Sequence, residues 1–316
     1  MWGQNKGLFR KRRIRLDRIF QKIWAVFRGI LIIGISFIII YPILNQLSFT
    51  FMTANDLVDS AVRYIPREVT YRNIEVAFDK MDYFQALFNT FVVSSLLSVL
   101  QLGAALIIGY GFARFEFRGS NILFSLVILS LLIPPSLIML PLFLNFRFFT
   151  IFGILEEPGI NLIGSSWPLA MLALTGTAHR NGLYIFIVRQ YFKGMSNTLE
   201  EAAYVDGAGP LKTFYRIMVP NATPILLIIF LFSFVWQWND LFYSDLFLRG
   251  QSLLSLNLQQ MTSAYQQQGV DPMIEGAHIA NVSNAAILMY LIPLLGLYSL
   301  MQRYFVESIE RTGIVG

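Results

Sequence analysis

Long apolar blocks separated by short polar stretches run through the whole chain. A bilayer core of about 30 Å is crossed by roughly 20 mostly apolar residues in a helix. Six blocks reach that length, at about 23–47, 84–112, 122–144, 162–192 (interrupted in its middle), 217–242 and 282–304. A helix satisfies its own backbone N–H and C=O groups in hydrocarbon. The alternating ten-residue strands of a membrane barrel are not seen. The pattern therefore predicts an all-α polytopic membrane protein with six spans. Segment 46–83 is mixed in charge and is expected to order around short helices. Segment 243–281 is polar and carries Gln259, Gln260, Gln266, Gln267 and Gln268. No internal repeat is visible, which weakens an inverted-repeat secondary transporter.

Composition agrees with the pattern. Hydrophobic residues make up 55% of the 316 and charged residues 14%, against about 45–50% and about 25% in soluble domains. A disordered chain and a nucleic-acid-binding globule are excluded on that basis. There is no cysteine, so no disulfide framework, thiolate metal site or Cys nucleophile exists. His179 and His278 are the only histidines, too few and too far apart in sequence for a metal centre. The phosphate-loop pattern G-x-x-x-x-G-K-[ST] is absent.

Charge sets the orientation. With the N-terminus inside, the inner segments hold 17 of the 24 Lys and Arg, leaving 7 outside. That bias places both termini in the cytoplasm. The run Arg10, Lys11, Arg12, Arg13 and Arg15 lies just before the first span, so it reads as a topology signal in contact with anionic lipid rather than a nucleic-acid patch. No small-x-small cleavage site follows the first span, which favours an uncleaved anchor. The expected layout is a basic cytoplasmic segment, 1–22, then a six-span domain, 23–316.

Between spans four and five lies Leu199-Glu200-Glu201-Ala202-Ala203-Tyr204-Val205-Asp206-Gly207-Ala208-Gly209-Pro210. Thr198 and Glu201 have capping-box spacing, so a helix is expected to start near Thr198. Gly207, Gly209 and Pro210 end it, and 211–218 can resume as a second helix. The segment 197–217 is thus a short amphipathic helix, a glycine elbow and another short helix. Ala202 and Ala203 offer a small face to a partner groove. Glu200, Glu201 and Asp206 offer it carboxylates. On spacing alone an ordinary cytoplasmic turn fits as well.

Glu201-Ala202-Ala203, Asp206-Gly207-Ala208, Phe214, Ile217, Pro220 and Pro224 resemble the E-A-A…D-G-A…F…I…P loop of permease subunits in binding-protein-dependent ABC importers. Further matches resemble the carbohydrate subgroup, similar to the smaller permease of maltose importers. They include Ile65-Pro66, Thr70 with Asn73, Asn89-Thr90, Ala113-Arg114-Phe115, Gly119, Pro134, Pro141, Gly153, Trp238-Asn239-Asp240 and Gln302-Arg303. Ser196 departs from the family, which usually has Pro there. The resemblance covers about residues 30–316. It implies a transport subunit of the bacterial cytoplasmic membrane, not an enzyme. It also implies a second permease, an extracellular or periplasmic solute-binding protein, and two ATPase subunits that bind ATP and magnesium, leaving no cofactor on this chain. The segment 201–208 would couple to an ATPase, with Glu200, Phe214 and Pro220 contributing to the coupling from just outside it.

Polar residues inside spans are candidates for the passage. Thr177-Ala178-His179-Arg180-Asn181-Gly182 interrupts span four, and Arg180 falls near mid-membrane. Two readings stand: a broken helix end or inter-subunit ion pair, and a contact to a sugar hydroxyl or carboxylate. The second would admit an acidic oligosaccharide, because Arg grips carboxylates in a bidentate fashion. Trp236, Gln237, Trp238, Asn239 and Asp240 form a polar-aromatic cluster, read either as a sugar-stacking site or as an interfacial Trp belt. The family implies that a loop after span five probes the binding protein, for which 262–270 is the candidate. The other classes are a permease for a non-sugar solute and an ion-coupled transporter. The latter lacks carboxylates at mid-span. Two histidines and no cysteine support no catalytic constellation.

Overall fold

The computed structural model describes the backbone of residues 4–150, 159–266 and 274–313, and the side chains of 20–150, 159–261 and 275–303. Every regular element among them is helical, and one isolated antiparallel bridge joins Phe149 and Ile160. In chain order the helices are α1 (Gln4–Thr50), α2 (Ala54–Val58), α3 (Arg72–Lys80), α4 (Tyr83–Arg114), α5 (Ser120–Ser130), α6 (Pro135–Arg147), α7 (Trp167–Leu174) and α8 (Asn181–Gly194). There follow α9 (Thr198–Val205), α10 (Pro210–Thr213), a π turn (Phe214–Met218), α11 (Val219–Asn221), α12 (Thr223–Trp238), α13 (Phe242–Phe247), α14 (Leu254–Gln266) and α15 (Ile274–Gly313).

Among the described residues, three helices are long and apolar enough to cross a membrane: Phe20–Thr50 within α1, α4, and Glu275–Arg303 within α15. Two bent pairs raise that number to five if each is one span. The continuous block expected at 122–144 is one of them: α5 and α6 meet at 100°. Pro134 and Pro135 explain the bend, since neither can donate to the ladder and each disfavours helical backbone in the residue before it. The block at 217–242 belongs to the other pair, which bends by 74° where α11 gives way to α12. The fourth block is delivered as α7 and α8, separated by residues 175–180.

The described residues fall into two compact units. The first holds the chain up to Ala77 and the start of α15 as far as Leu288. Within it, none of the most apolar stretch of α1 is buried. Two buried asparagines tie its turn together. Asn73 donates to the carbonyls of Thr50 (2.8 Å) and Met52 (2.9 Å), and Asn281 donates to Met52 O (2.9 Å). Thr53 and Asp56 form a capping box on α2.

The second unit runs from Phe78 and takes the rest of α15 from Met289. Its axis is α4, whose buried residues Ala86, Thr90, Ser94, Leu97, Ser98, Gln101, Ala104, Ala105 and Gly109 recur every three or four positions and so share a face. They are mostly small, which suits hydrocarbon, where close packing and interhelical hydrogen bonds hold helices together. Gly109 shows how close: a Cβ there would lie 2.7 Å from Val188 Cβ on α8. Two apolar clusters flank this axis. One gathers Leu97, Phe146, Leu169, Phe247 and Leu253; the other gathers Ala105, Tyr184, Val188, Phe192, Phe214 and Met218. Gln101 lies between them in sequence and is buried. Asn89 and Thr90 pin the chain near α14: Asn89 donates to Ser252 O (2.9 Å), and Thr90 Oγ1 accepts from Leu254 N (2.9 Å).

Candidate functional site

Two places gather the chemistry. The first is the 197–217 segment. Helix α9 begins at Thr198, but the expected capping box does not form: Asn197 precedes the helix and no side chain caps it. The Asn197 carboxamide oxygen is taken by Arg114. Ser196 and Thr198 close the entry instead, their hydroxyls 2.8 Å apart, and Ser196 Oγ accepts from Thr198 N. The exit closes twice, by Ala208 N to Ala203 O (2.9 Å) and Gly207 N to Tyr204 O (3.0 Å). That double closure needs a left-handed residue, and Gly207 supplies it at φ +77°. Pro210 starts α10, and the chain bends again at Ala222.

The burial of α9 is uneven. Only Glu200 and Ala203 turn inward. Leu199, Glu201, Ala202, Tyr204, Val205, Asp206 and Gly207 are exposed, Val205 to 87%. The alanine pair therefore does not form one outward face: Ala202 looks out and Ala203 packs in. Glu200 is likewise not presented outward. Its carboxylate accepts from Tyr110 Oη (2.7 Å) and pairs with Arg114 Nε (3.2 Å), with both partners of the ion pair about nine-tenths buried. Arg114 also bonds Asn197 and donates to Met195 O (3.1 Å). Tyr110 sits among Phe115, Phe192 and Phe214, so Phe214 is a packing residue here. Pro220 is exposed, as are the large side chains of Leu211 and Tyr215.

The second place is the break between α7 and α8. Thr175 Oγ1 donates back to Met171 O (2.8 Å), and the amides of Thr177 and Ala178 both reach Leu172 O. Arg180 then adopts φ +70°, a left-handed backbone uncommon for a side chain of that size. Its guanidinium lies 3.8 Å from the centre of the Trp236 ring, and its Nε donates to His179 Nε2 (3.1 Å). Among the described residues it makes no ion pair. Gln101 locks the break from α4. Its amide donates to His179 O (3.1 Å), while its oxygen accepts from Ser233 and from Gln237 (3.2 Å). A cavity of about 900 Å3 opens here, lined by Thr177, His179, Arg180, Ser130 and Tyr243 among apolar neighbours. A second, of about 340 Å3, takes in Asn145, His179, Trp236, Gln237 and Asp240.

The five-residue cluster 236–240 divides. Trp236 and Gln237 face the cavity. Trp238 is buried, packs beside Phe234 and Tyr290, and lines a separate apolar groove. Asn239 accepts from Tyr290 Oη (2.9 Å) and donates to Val235 O (2.7 Å). Asp240 reaches the cavity edge, but its carboxylate accepts from the amides of Ser244 (2.8 Å) and Tyr243 (3.4 Å) and holds the start of α13. Asn181 is fully buried and lines neither cavity.

A family described as the binding-protein-dependent transport system inner membrane component matches residues 101–311. The chain belongs to that family. Among its relatives, the diacetylchitobiose uptake system permease protein of Streptomyces coelicolor is 28% identical, over 93% of this chain and 89% of that protein. The arabinooligosaccharides transport system permease protein of Halalkalibacterium halodurans is 25% identical, over 89% and 93%. A crystal structure of a bacterial ABC transporter involved in the import of the acidic polysaccharide alginate contains a chain of the same fold, with TM-score 0.67 and 23% identity over 92% of this chain and 98% of that one.

Within this family member, sequence reasoning did not single out Tyr110, Asn197, Gln101 or Ser233. Gln101, a polar residue inside an apolar span, carried a readable signal. Tyr110 and Asn197 carried none, because what matters is their proximity to Glu200 and Arg114 in space. Of the segment 262–270, residues 262–266 end α14 and 267–270 lie outside the described residues.

Proposed function

We propose that this chain is the permease subunit of an ATP-driven carbohydrate importer. It would form the passage with a second permease and be driven by two ATPase subunits through α9. The observation that carries the coupling reading is the presentation of α9: an eight-residue helix closed at both ends, with Glu201, Tyr204, Val205 and Asp206 turned outward. A cleft on an ATPase subunit can grip such a helix. Closure of the ATPase pair then moves it as one body, and the elbow at Gly207 with the bend at Ala222 passes the motion into α12. ATP and magnesium would be held by those partners. In this reading α7 with α8 makes one broken span, each bent pair makes another, and six spans leave both termini in the cytoplasm of a bacterial inner membrane. The apolar surface of α1 meets lipid and the second permease.

The sugar assignment rests on the family and on the substrates named for its relatives. The cavity at the α7–α8 break supports it with an aromatic ring, a histidine and an arginine. The Arg180 guanidinium lacks a described carboxylate partner, and a charge without one is costly at membrane depth. A carboxylated sugar answers that need with bidentate hydrogen bonds. The passage is therefore assigned to oligosaccharides, acidic ones included. The test is to purify the chain with its partners and measure ATPase stimulation by a panel of neutral and uronate oligosaccharides. Stimulation by either class supports import of sugars. Silence to the whole panel, with response to a peptide or amino acid, transfers the chain to the non-sugar importers.

A further inference from the structure

We infer that Tyr110, Arg114, Glu200 and Asn197 form the joint through which force on α9 reaches α4. This assignment rests on the coupling reading and deepens it by naming positioning residues that touch neither ATP nor sugar. The case begins with how little else holds α9. Of its eight residues only Glu200 and Ala203 are buried. A methyl group resists sliding weakly. A buried, doubly bonded carboxylate does not slide, because separation would leave charges without partners in a low-dielectric setting.

Each end of the joint suits its helix. Arg114 is in the last turn of α4, where a cation complements the carbonyl end of the helix dipole, and Glu200 is in the first turn of α9, where an anion complements the amide end. Arg114 is forked: one nitrogen faces Glu200, one Asn197 and one the carbonyl of Met195. It therefore grips both the helix and the strand of chain leading into it. Tyr110, one turn back on α4, holds the other carboxylate oxygen at 2.7 Å. Arg67 with Asp59, by contrast, is a surface contact. The same α4 carries Gln101, which bonds the backbone of the α7–α8 break. One helix thus touches α9 at its end and the α7–α8 break at its middle.

The test uses the whole transporter in proteoliposomes, with the second permease, the ATPase pair and the binding protein. The variants are Arg114→Met, Arg114→Lys, Glu200→Gln and Tyr110→Phe. Two quantities are read: ATPase subunit retained on purification, and substrate moved per ATP hydrolysed. Retention is expected at the wild-type level in all four. Substrate per ATP is expected to fall about tenfold in Arg114→Met and Glu200→Gln, and about two- to threefold in Tyr110→Phe. Arg114→Lys keeps the charge and should recover part of the loss. A merely structural role would lower the yield of complex and leave the ratio intact; that result, or an unchanged ratio in both Arg114→Met and Glu200→Gln, overturns the assignment. Failure of the wild-type chain to retain any ATPase subunit sinks the coupling reading itself.

Discussion

The two chemical centres of this molecule are built on opposite principles. At α9 carboxylate, guanidinium, hydroxyl and carboxamide answer one another through hydrogen bonds and an ion pair. At the α7–α8 break the backbone is matched, through Gln101 and Thr175, while the guanidinium of Arg180 rests on an indole face with no described counter-charge. A part that transmits force must resist relative motion, and matched buried charges provide stiffness. On the proposed function, the α7–α8 break accepts cargo, and such a part leaves recognition groups unsatisfied until the cargo arrives. The same contrast holds for backbone strain. Gly207 adopts its positive φ without penalty, whereas Arg180 adopts φ +70° at a cost of order 1–3 kcal/mol.

The contrast can be broken in order of severity. Gly207→Pro is the harshest test, since proline fixes φ near −65° where the elbow holds +77°. Substrate-stimulated ATPase activity should fall to the basal level while membrane insertion, followed by fractionation, is retained. Glu201→Lys, which reverses an exposed charge without touching the fold, should do the same. Arg180→Gln comes next. Losing a charge-assisted hydrogen bond of about 1.5–3 kcal/mol corresponds to a rise in KM of about tenfold to a hundredfold for uronate oligosaccharides, and to little change for neutral ones. The two tryptophans then separate packing from passage. Trp238→Ala should lower stability by about 3–5 kcal/mol, read as a drop in Tm of the detergent-solubilised complex. Trp236→Ala should leave Tm within a few degrees and weaken transport by the about 0.5–2 kcal/mol of a cation–π contact. Smallest is Thr90→Val, which removes one hydrogen bond to Leu254 N and should cost about 1 kcal/mol.

The long apolar helices at both ends of the chain and α4 were legible because apolar length alone marks them. The third was misread as continuous. Pro134 and Pro135 were in view, but the size of the bend depends on what α5 and α6 pack against. The 197–217 segment was readable through its spacing and glycines. The direction of each side chain was not, because rotation of an eight-residue helix about its axis is set by tertiary partners. Glu200 and Glu201 are neighbours in sequence and opposite in fate for that reason. The division of 236–240 follows from the same geometry: successive helical residues differ by about 100°, so five polar or aromatic residues in a row cannot share one cavity.

The measurement that bears most directly on the central proposal is site-directed cross-linking from α9. The chain has no native cysteine, so Val205→Cys gives a single reactive thiol at an outward position of that helix, where Val205 is 87% exposed. Labelling by a membrane-impermeant maleimide should occur only from the cytoplasmic face, and a short bifunctional reagent should join residue 205 to an ATPase subunit, with a yield that changes when ATP is added. Labelling from the outer face, or a thiol that joins to no second protein, contradicts it.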